Sequence, residues 1–507
     1  MDLLLGVDVG TTRVKALAFD LQGRIVGQAA QNCALSRPRP DWVEQNPEEL
    51  WQALAATVRG ALAALPRAGY RVLGLALSTQ GGTTILADAD GRPLRPAISW
   101  MDQRGSDEAR DLAQALGAEQ VYRFSGWEPY PGLPWVHAAW LQRHESDRYR
   151  EARRLLTVSD WLLGRLTGEF RQDPTNAGIT QLYHVVRGDW FDTALELLGL
   201  RREQLAPLVP CGERVGRLTP AAAEALRLTT DTWVMNGAHD QYAAAVGAGV
   251  TAPGRVLLSC GTAWVLLVAT SEPAFGAGEQ AMAVGRHALA GLWGAMRSMG
   301  GVGTTVEWYV DTVLAPLGGW PPGERFKAFA AMDAHLPSIA AGADGLLCIP
   351  WAGGHSEQQA AAGVVGGLVG LNARHGQCEI GRAVLEGIAF ELRWLIELIR
   401  SAQMPIEALV MVGGAAQSAC WPQIIADVTG LAVTVPAVQE AAARGAAILA
   451  GAGLGLLDPA TGFAECQDHD RRLEPRGTER RAYEGIYRRY QAVHAALQAT
   501  SLQSPAG

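Results

Sequence analysis

The first twenty positions set out a pattern that recurs along the chain. Leu3-Leu-Leu-Gly-Val-Asp8 is an apolar run ending on a carboxylate, Gly10-Thr11-Thr12 interrupts it, and Val14 to Phe19 resumes it. This predicts two strands joined by a tight turn. Pro47 to Leu65 then places Leu50, Leu54 and Leu62 at helical spacing, and Arg71 to Leu77 and Thr83 to Ala87 read as buried strands. Alternating strands and helices predict an α/β fold.

The opening pattern returns at Arg255-Val-Leu-Leu-Ser259-Cys-Gly261-Thr262-Ala-Trp-Val-Leu-Leu-Val, about half a chain later. The repeat points to two related domains meeting at Thr251-Ala-Pro-Gly254, although strand-Gly-turn-strand units also arise independently. Beyond it, Ala408 to Val412 reads as a strand, Gly413-Gly414 as a turn, and Ser418 to Val428 as a helix. Glu440 to Ala450 is a helix rich in small residues. The tail from Gly477 to Gln498 carries Arg480, Arg481, Arg488 and Arg489 and reads as an appended surface helix, and Ser501 to Gly507 as a frayed end.

Composition narrows the classes. With 507 residues, 48% hydrophobic and 19% charged, the chain is globular, and a net charge of −8 argues against nucleic acid as a partner. No run of 18 apolar residues occurs, so a membrane span is not expected. The opening lacks a basic n-region and does not read as a signal peptide. Seven cysteines, none in a C-x-x-C pair, fit reduced thiols in a cytoplasmic protein.

Three segments carry candidate chemistry. In Gly6-Val-Asp8-Val-Gly10-Thr11-Thr12, Gly10 allows close backbone approach, and amides and hydroxyls there suit phosphate oxygens. Asp8 brings a carboxylate fit for a hydrated Mg²⁺, whereas the repeat has Ser259 at the matching place. In Val234-Met-Asn-Gly-Ala-His239-Asp240-Gln241, a strand ends as Asp240 opens a helix, either as an N-cap or as a general base. Val412-Gly413-Gly414-Ala415-Ala416-Gln417-Ser418 offers small residues against which a flat ligand can lie. The chain has neither a G-x-x-x-x-G-K-[ST] phosphate loop nor an HExxH pair, and Gly276-Ala-Gly278 follows no strand, so a dehydrogenase is poorly supported. Two phosphate-type hairpins fit a phosphotransferase with its cleft between two domains.

Taken together, these segments resemble the FGGY family of carbohydrate kinases from about residue 3 to 450. Gly-Val-Asp8-Val-Gly-Thr-Thr is similar to the family's first phosphate motif, Ser259-Cys-Gly261-Thr262 to its second, and Gly413-Gly414-Ala-Ala-Gln-Ser418 to its adenosine motif. Gly366 to Glu386 resembles a long family signature. The resemblance implies two duplicated actin-like ATPase (ribonuclease H-like) domains: an N-terminal sugar-side domain over 1–250, a nucleotide-side domain over 255–451, and a helical tail over 452–507. It implies Asp240 as catalytic base, Asp8 at Mg²⁺, and Thr11, Thr12, Gly261, Thr262, Gly303, Glu307, Gly413, Gly414 and Ser418 around ATP. Domain closure would exclude water.

Substrate residues follow in the same way: Gly81, Gly82, Trp100, Tyr130, Asp240 and Gln241 would face a small-molecule carbohydrate. Trp135 and Trp351 fall near positions that line the sugar cleft in relatives, or are core. Xylulokinases typically carry Met-His and glycerol kinases Arg-Glu where this chain has Gly81-Gly82, an exchange expected to remove those side-chain contacts and leave room for an acceptor that is larger or held elsewhere. Gln241 is like the glycerol-kinase side. His137 stands where Lys is usual and reads as a structural histidine or a substrate contact, and Gly353-Gly354-His355-Ser356 replaces a Gly-Glu-Arg stretch. The expected activity is ATP-dependent phosphorylation of a sugar, polyol or sugar acid, with a ketose such as xylulose as one acceptor, glycerol or another polyol as alternative, and a homodimer as the oligomer entertained. The reading from another class is a non-catalytic actin-like protein that switches with ATP or senses sugar.

Overall fold

The computed structural model describes residues 1–65, 69–261, 263–319, 321, 324–350, 366–463 and 470–499. Strands β1 (Asp2–Val9), β2 (Arg13–Asp20), β3 (Ile25–Asn32), β4 (Arg71–Thr79), β5 (Arg214–Arg217) and β6 (Trp233–His239) form one sheet in the order β5-β6-β4-β1-β2-β3. Strands β7 (Arg255–Cys260), β8 (Trp264–Thr270), β9 (Ala283–Arg286), β10 (Trp293–Ser298), β11 (Ala408–Gly413), β12 (Ala432–Val435) and β13 (Arg471–Leu473) form another, ordered β9-β10-β8-β7-β11-β12-β13. Both have an antiparallel hairpin, β1/β2 or β7/β8, whose first strand pairs parallel with the next layer, β4 or β11. The duplication expected from the repeated hairpin is therefore present as topology.

Two strands, β1 and β7, explain why the apolar runs are nearly continuous. In β1, Leu3, Leu5, Val7 and Val9 enter one core while Leu4 enters another; β7 does the same with Val256 and Leu258 against Leu257. Sheets buried on both faces lose the polar alternation of a half-exposed strand. On the outer face of the first sheet lies α1 (Pro47–Leu62), capped by Asn46.

Between the sheets lie two helices, α2 (Asp240–Gly247) from the first half and α5 (Ala441–Gly453) from the second. Two further helices, α3 (Gln377–Ser401) and α4 (Trp421–Thr429), belong to the second half. The α2/α5 layer packs Ala243, Val246, Ala446 and Leu449 with Leu4, Phe19, Leu257 and Val410 in one core. Close approach is set by glycine: a Cβ on Gly445 would meet the Ala243 carbonyl oxygen at 1.8 Å, and one on Gly247 the Ala441 oxygen at 1.9 Å. Likewise, a Cβ on Gly6 would fall 1.7 Å from the Ala443 oxygen. The small-residue run expected to pack closely thus forms the joint between the halves.

The last helix, α6 (Gly477–Ala499), corrects the surface-appendage reading. Tyr483, Tyr487 and Tyr490 are buried in the second-half core, and their hydroxyls meet Glu386, Glu397 and Glu391 of α3. Arg480, Arg481, Arg488 and Arg489 are exposed. No helix among the described residues is long and apolar enough to cross a membrane. Residues 501–507 and Cys466 lie outside the described residues.

Candidate active site

Asp8 ends the apolar part of β1 on the face that looks toward α2 and α5. It accepts a hydrogen bond from Ser78 Oγ at 2.8 Å. Burial, and next the Asp240 carboxylate, push its carboxyl up to about 7, against the pull of Ser78 and Lys15. Lys15 lies opposite Asp8 in the β1/β2 register, and its Nζ reaches Glu440 Oε2 at 2.5 Å, just before α5. The hairpin of one half is thereby tied to the joint helix of the other.

Asp240 opens α2, with a third of its side chain exposed and Oδ1 3.4 Å from His239 Nε2. The backbone is held from below: His239 N–H donates to Thr175 Oγ1 at 2.8 Å, and Asp173 caps the helix Pro174–Gly178 that carries Thr175. Gln241 Oε1 is buried without a hydrogen-bonding partner among the described residues.

Thr11 is held on both sides. Its carbonyl accepts from Gln45 Nε2 at 2.6 Å and its hydroxyl from Trp100 Nε1 at 2.9 Å. Gln45 in turn accepts from Gln80 Nε2 at 2.9 Å, and Gln80 N–H donates to the Val9 carbonyl. Thr12 is exposed. Trp100 and Tyr130 are 39% and 40% exposed, unusual for such large rings, and both border Gly132. Apolar ring faces open to solvent suit the C–H surfaces of a sugar.

Gly81 and Gly82 do not leave the space expected of them. A Cβ on Gly81 would lie 2.3 Å from His239 Cδ2, so the imidazole already fills that place. Gly82 has φ +77° and packs on Trp100 and Leu133. Trp135 also departs from the cleft reading: it is fully buried, with Nε1 on the Ala194 carbonyl. His137 is buried with Nδ1 against Thr84 Oγ1, and burial beside Arg104 and Arg95 holds its pKa well below the ordinary histidine value, which favours the structural reading.

In the second half, Gly413 takes φ +94°, and a Cβ there would meet the Cys260 carbonyl oxygen at 2.5 Å, so only glycine lets β11 turn beside the β7/β8 hairpin. Gly261 is exposed, and Gly414 has open space around its Cα. Ser418 behaves differently from expectation. Its hydroxyl is buried, donates to Asp333 Oδ1 at 2.5 Å, and caps α4 by accepting from Trp421 N–H at 2.9 Å. It holds the loop in shape, together with Arg471, which donates to the Ala416 and Ser418 carbonyls. Gly303 and Glu307 lie on the helix Val302–Tyr309 and are partly exposed. Thr262, Trp351 and the stretch 353–356 fall outside the described residues.

His239, Gln45, Gln80, Thr175 and Asp333 were not assigned from sequence. Only His239 carried a signal, its place beside Asp240. Among the described residues no group of three or more His, Cys, Asp and Glu is arranged to hold a metal. A cation here would rest on one or two carboxylates with phosphate and water, the usual manner of Mg²⁺, and the paired Asp8 and Asp240 fit that donor set.

Comparison with known proteins matches this architecture in both halves. The description "FGGY family of carbohydrate kinases, N-terminal domain" fits residues 3–247, and the corresponding C-terminal domain fits residues 256–454. A xylulose kinase of Escherichia coli (strain K12) is 31% identical over 428 residues, 84% of this chain and 85% of that protein. An autoinducer-2 kinase of Enterobacter sp. (strain 638) is 30% identical over 510 residues, 98% of this chain and 94% of the relative. The crystal structure of a xyloylose kinase from Brucella ovis superposes with a TM-score of 0.86 at 30% identity, covering 98% of this chain and 100% of that one.

Proposed function

Because the chain belongs to the FGGY family of carbohydrate kinases, with its two-domain α/β fold of actin-like topology, we propose that it phosphorylates a xylulose-type ketose with Asp240 as base. The general activity, ATP-dependent phosphorylation of a sugar or polyol, comes with the family and its xylulose-kinase relatives. What supports the finer reading is the placement of two carboxylates, Asp8 near the end of β1 and Asp240 at the first turn of α2, with the Asp240 charge pushing the Asp8 carboxyl up. One carboxylate is partly exposed to take a proton, and the other is buried at the end of a phosphate-type hairpin.

In this reading Asp240 accepts the proton of the acceptor hydroxyl as that oxygen attacks the terminal phosphate of ATP. Trp100 and Tyr130 orient the sugar by its apolar faces, and Gln241 offers a carbonyl to a hydroxyl. Thr11, Thr12 and Gly261 bind phosphate through hydroxyls and amides, with Thr262 in the same role by motif. Gly413 and Gly414 lie under the nucleotide, and Gly303 and Glu307 flank it. Asp8 holds Mg²⁺, which when bound neutralises phosphate charge. We read the halves, 1–250 and 255–451, as ribonuclease H-like, with the tail helix α6 (Gly477–Ala499) completing the second.

A second acceptor class is favoured by the autoinducer-2 kinase likeness, which spans nearly the whole chain. The test is ADP release by purified protein with Mg·ATP across ketoses, polyols and sugar acids, with Asp240→Asn as the blank. Turnover that requires xylulose and falls roughly 10²–10⁴-fold in the variant is expected. Slow hydrolysis indifferent to acceptor and equal in the variant overturns the reading in favour of an ATP-switching protein.

A further inference from the structure

Gly81 and Gly82 present no side chain to the cleft, yet the wall there is neither empty nor apolar. The His239 imidazole occupies the place where a side chain at position 81 would begin, with Cδ2 2.3 Å and Nε2 2.7 Å from the Cβ that Gly81 lacks. The fit is reciprocal: the ring is there because residue 81 is glycine, and residue 81 must stay glycine while the ring is there. His239 is held from three sides, by Thr175 on its backbone N–H, by Gly81 under the ring, and by Tyr242, whose ring centroid lies 6.0 Å away.

Two features give this ring work beyond filling space. Nε2 stands 3.4 Å from Asp240 Oδ1, so the imidazole borders the carboxylate that receives the acceptor proton. Nδ1 is buried and has no hydrogen-bonding partner among the described residues, although the residue is only 6% exposed. Buried ring nitrogens are ordinarily paired, and Nδ1 left open on a ring whose Nε2 borders Asp240 suits a ligand oxygen.

We propose that His239 is a specificity-determining residue that recognises an oxygen of the sugar acceptor, supplying from the end of β6 the polar contact that Gly81 and Gly82 cannot make. The inference rests on the reading of Asp240 as the acceptor-side base.

The experiment is steady-state kinetics with D-xylulose, L-xylulose and glycerol for wild type, His239→Ala, His239→Asn, Gly81→Ala and the Gly81→Ala/His239→Ala pair. Circular dichroism confirms that each variant is folded. His239→Ala is expected to raise the KM for the accepted sugar roughly tenfold, the worth of one hydrogen bond, while leaving the KM for Mg·ATP in place. Gly81→Ala should reproduce the effect by displacing the ring, and the double variant should be no worse than His239→Ala. His239→Asn, which keeps a polar group, should recover part of the loss. An unchanged sugar KM in His239→Ala, or effects in the double variant that multiply, overturns the inference.

Calorimetric binding of the same sugars separates this failure from failure of the kinase reading. Sugar bound by wild type and at least tenfold more weakly by His239→Ala sustains the role of His239 even if no turnover is found. Equal binding by both proteins refutes it, and a wild type that neither binds nor turns over any of the three sugars removes both readings.

Discussion

Trp100 Nε1 donates to Thr11 Oγ1 at 2.9 Å, so an exposed aromatic ring is hydrogen-bonded to the first phosphate-type hairpin. The ring proposed to stack on the acceptor is thereby in contact with a residue proposed to meet ATP. Trp100→Phe keeps the ring face and removes the donor. We expect the KM for ATP to rise about two- to tenfold and acceptor-independent hydrolysis to increase, with sugar KM changed less. Thr11→Val should match it, and the double variant should show no further loss.

Asp8 gives a pH signature of two opposite signs. With its carboxyl pushed up to about 7, the ligand-free protein holds a proton there that the unfolded chain releases near 3.8. Stability from this group therefore rises as pH falls from 8 toward 5, and Asp160, raised to about 7 by burial, adds to the trend. Mg·ADP affinity should move the other way, weakening below pH 7 as Asp8 takes up its proton. Calorimetry at pH 6 and 8 checks this; in Asp8→Asn the pH dependence of binding should flatten.

The joint between the halves tolerates no side chain. Gly445→Ala places a methyl 1.8 Å from the Ala243 carbonyl oxygen, and backbone has to move. A loss of about 1–3 kcal/mol is expected by denaturant unfolding, with reduced kcat because α2 carries Asp240. Gly485→Ala on α6, where nothing lies within 4 Å, is the contrast and should stabilise by up to about 1 kcal/mol.

The tyrosine ladder of α6 should be graded by burial. Tyr483 Oη donates to Glu386 and accepts from Arg382, each at 2.7 Å, inside the core. Tyr483→Phe leaves that pair short of a partner and should cost roughly 1–3 kcal/mol. Tyr487 bonds Glu397, whose side chain is 44% exposed, so Tyr487→Phe should cost less. Chemical denaturation of the two variants decides the order.

The sequence alone determined what is local. An apolar run broken by Gly10-Thr11 points to a hairpin, because strand pairing across a tight turn is written in adjacent residues, whereas its recurrence at Gly261 left duplication and independent origin both open until the two sheets showed the same topology. Asp8 and Asp240 were legible for the same reason, each closing an apolar strand. Tertiary structure decided what depends on distant segments meeting. Whether Gly81 left an open space turned on His239, which arrives on another strand of the same sheet. Ser418 looked free for a nucleotide until Asp333, 85 residues earlier, claimed its hydroxyl. Lys15 meets Glu440 across 425 residues. The arginines of α6 concealed a tyrosine stripe whose partners lie on α3. Periodicity reports which face of an element is buried, but the side chain that occupies a given space is chosen by packing between elements, and that information exists only once the chain has folded.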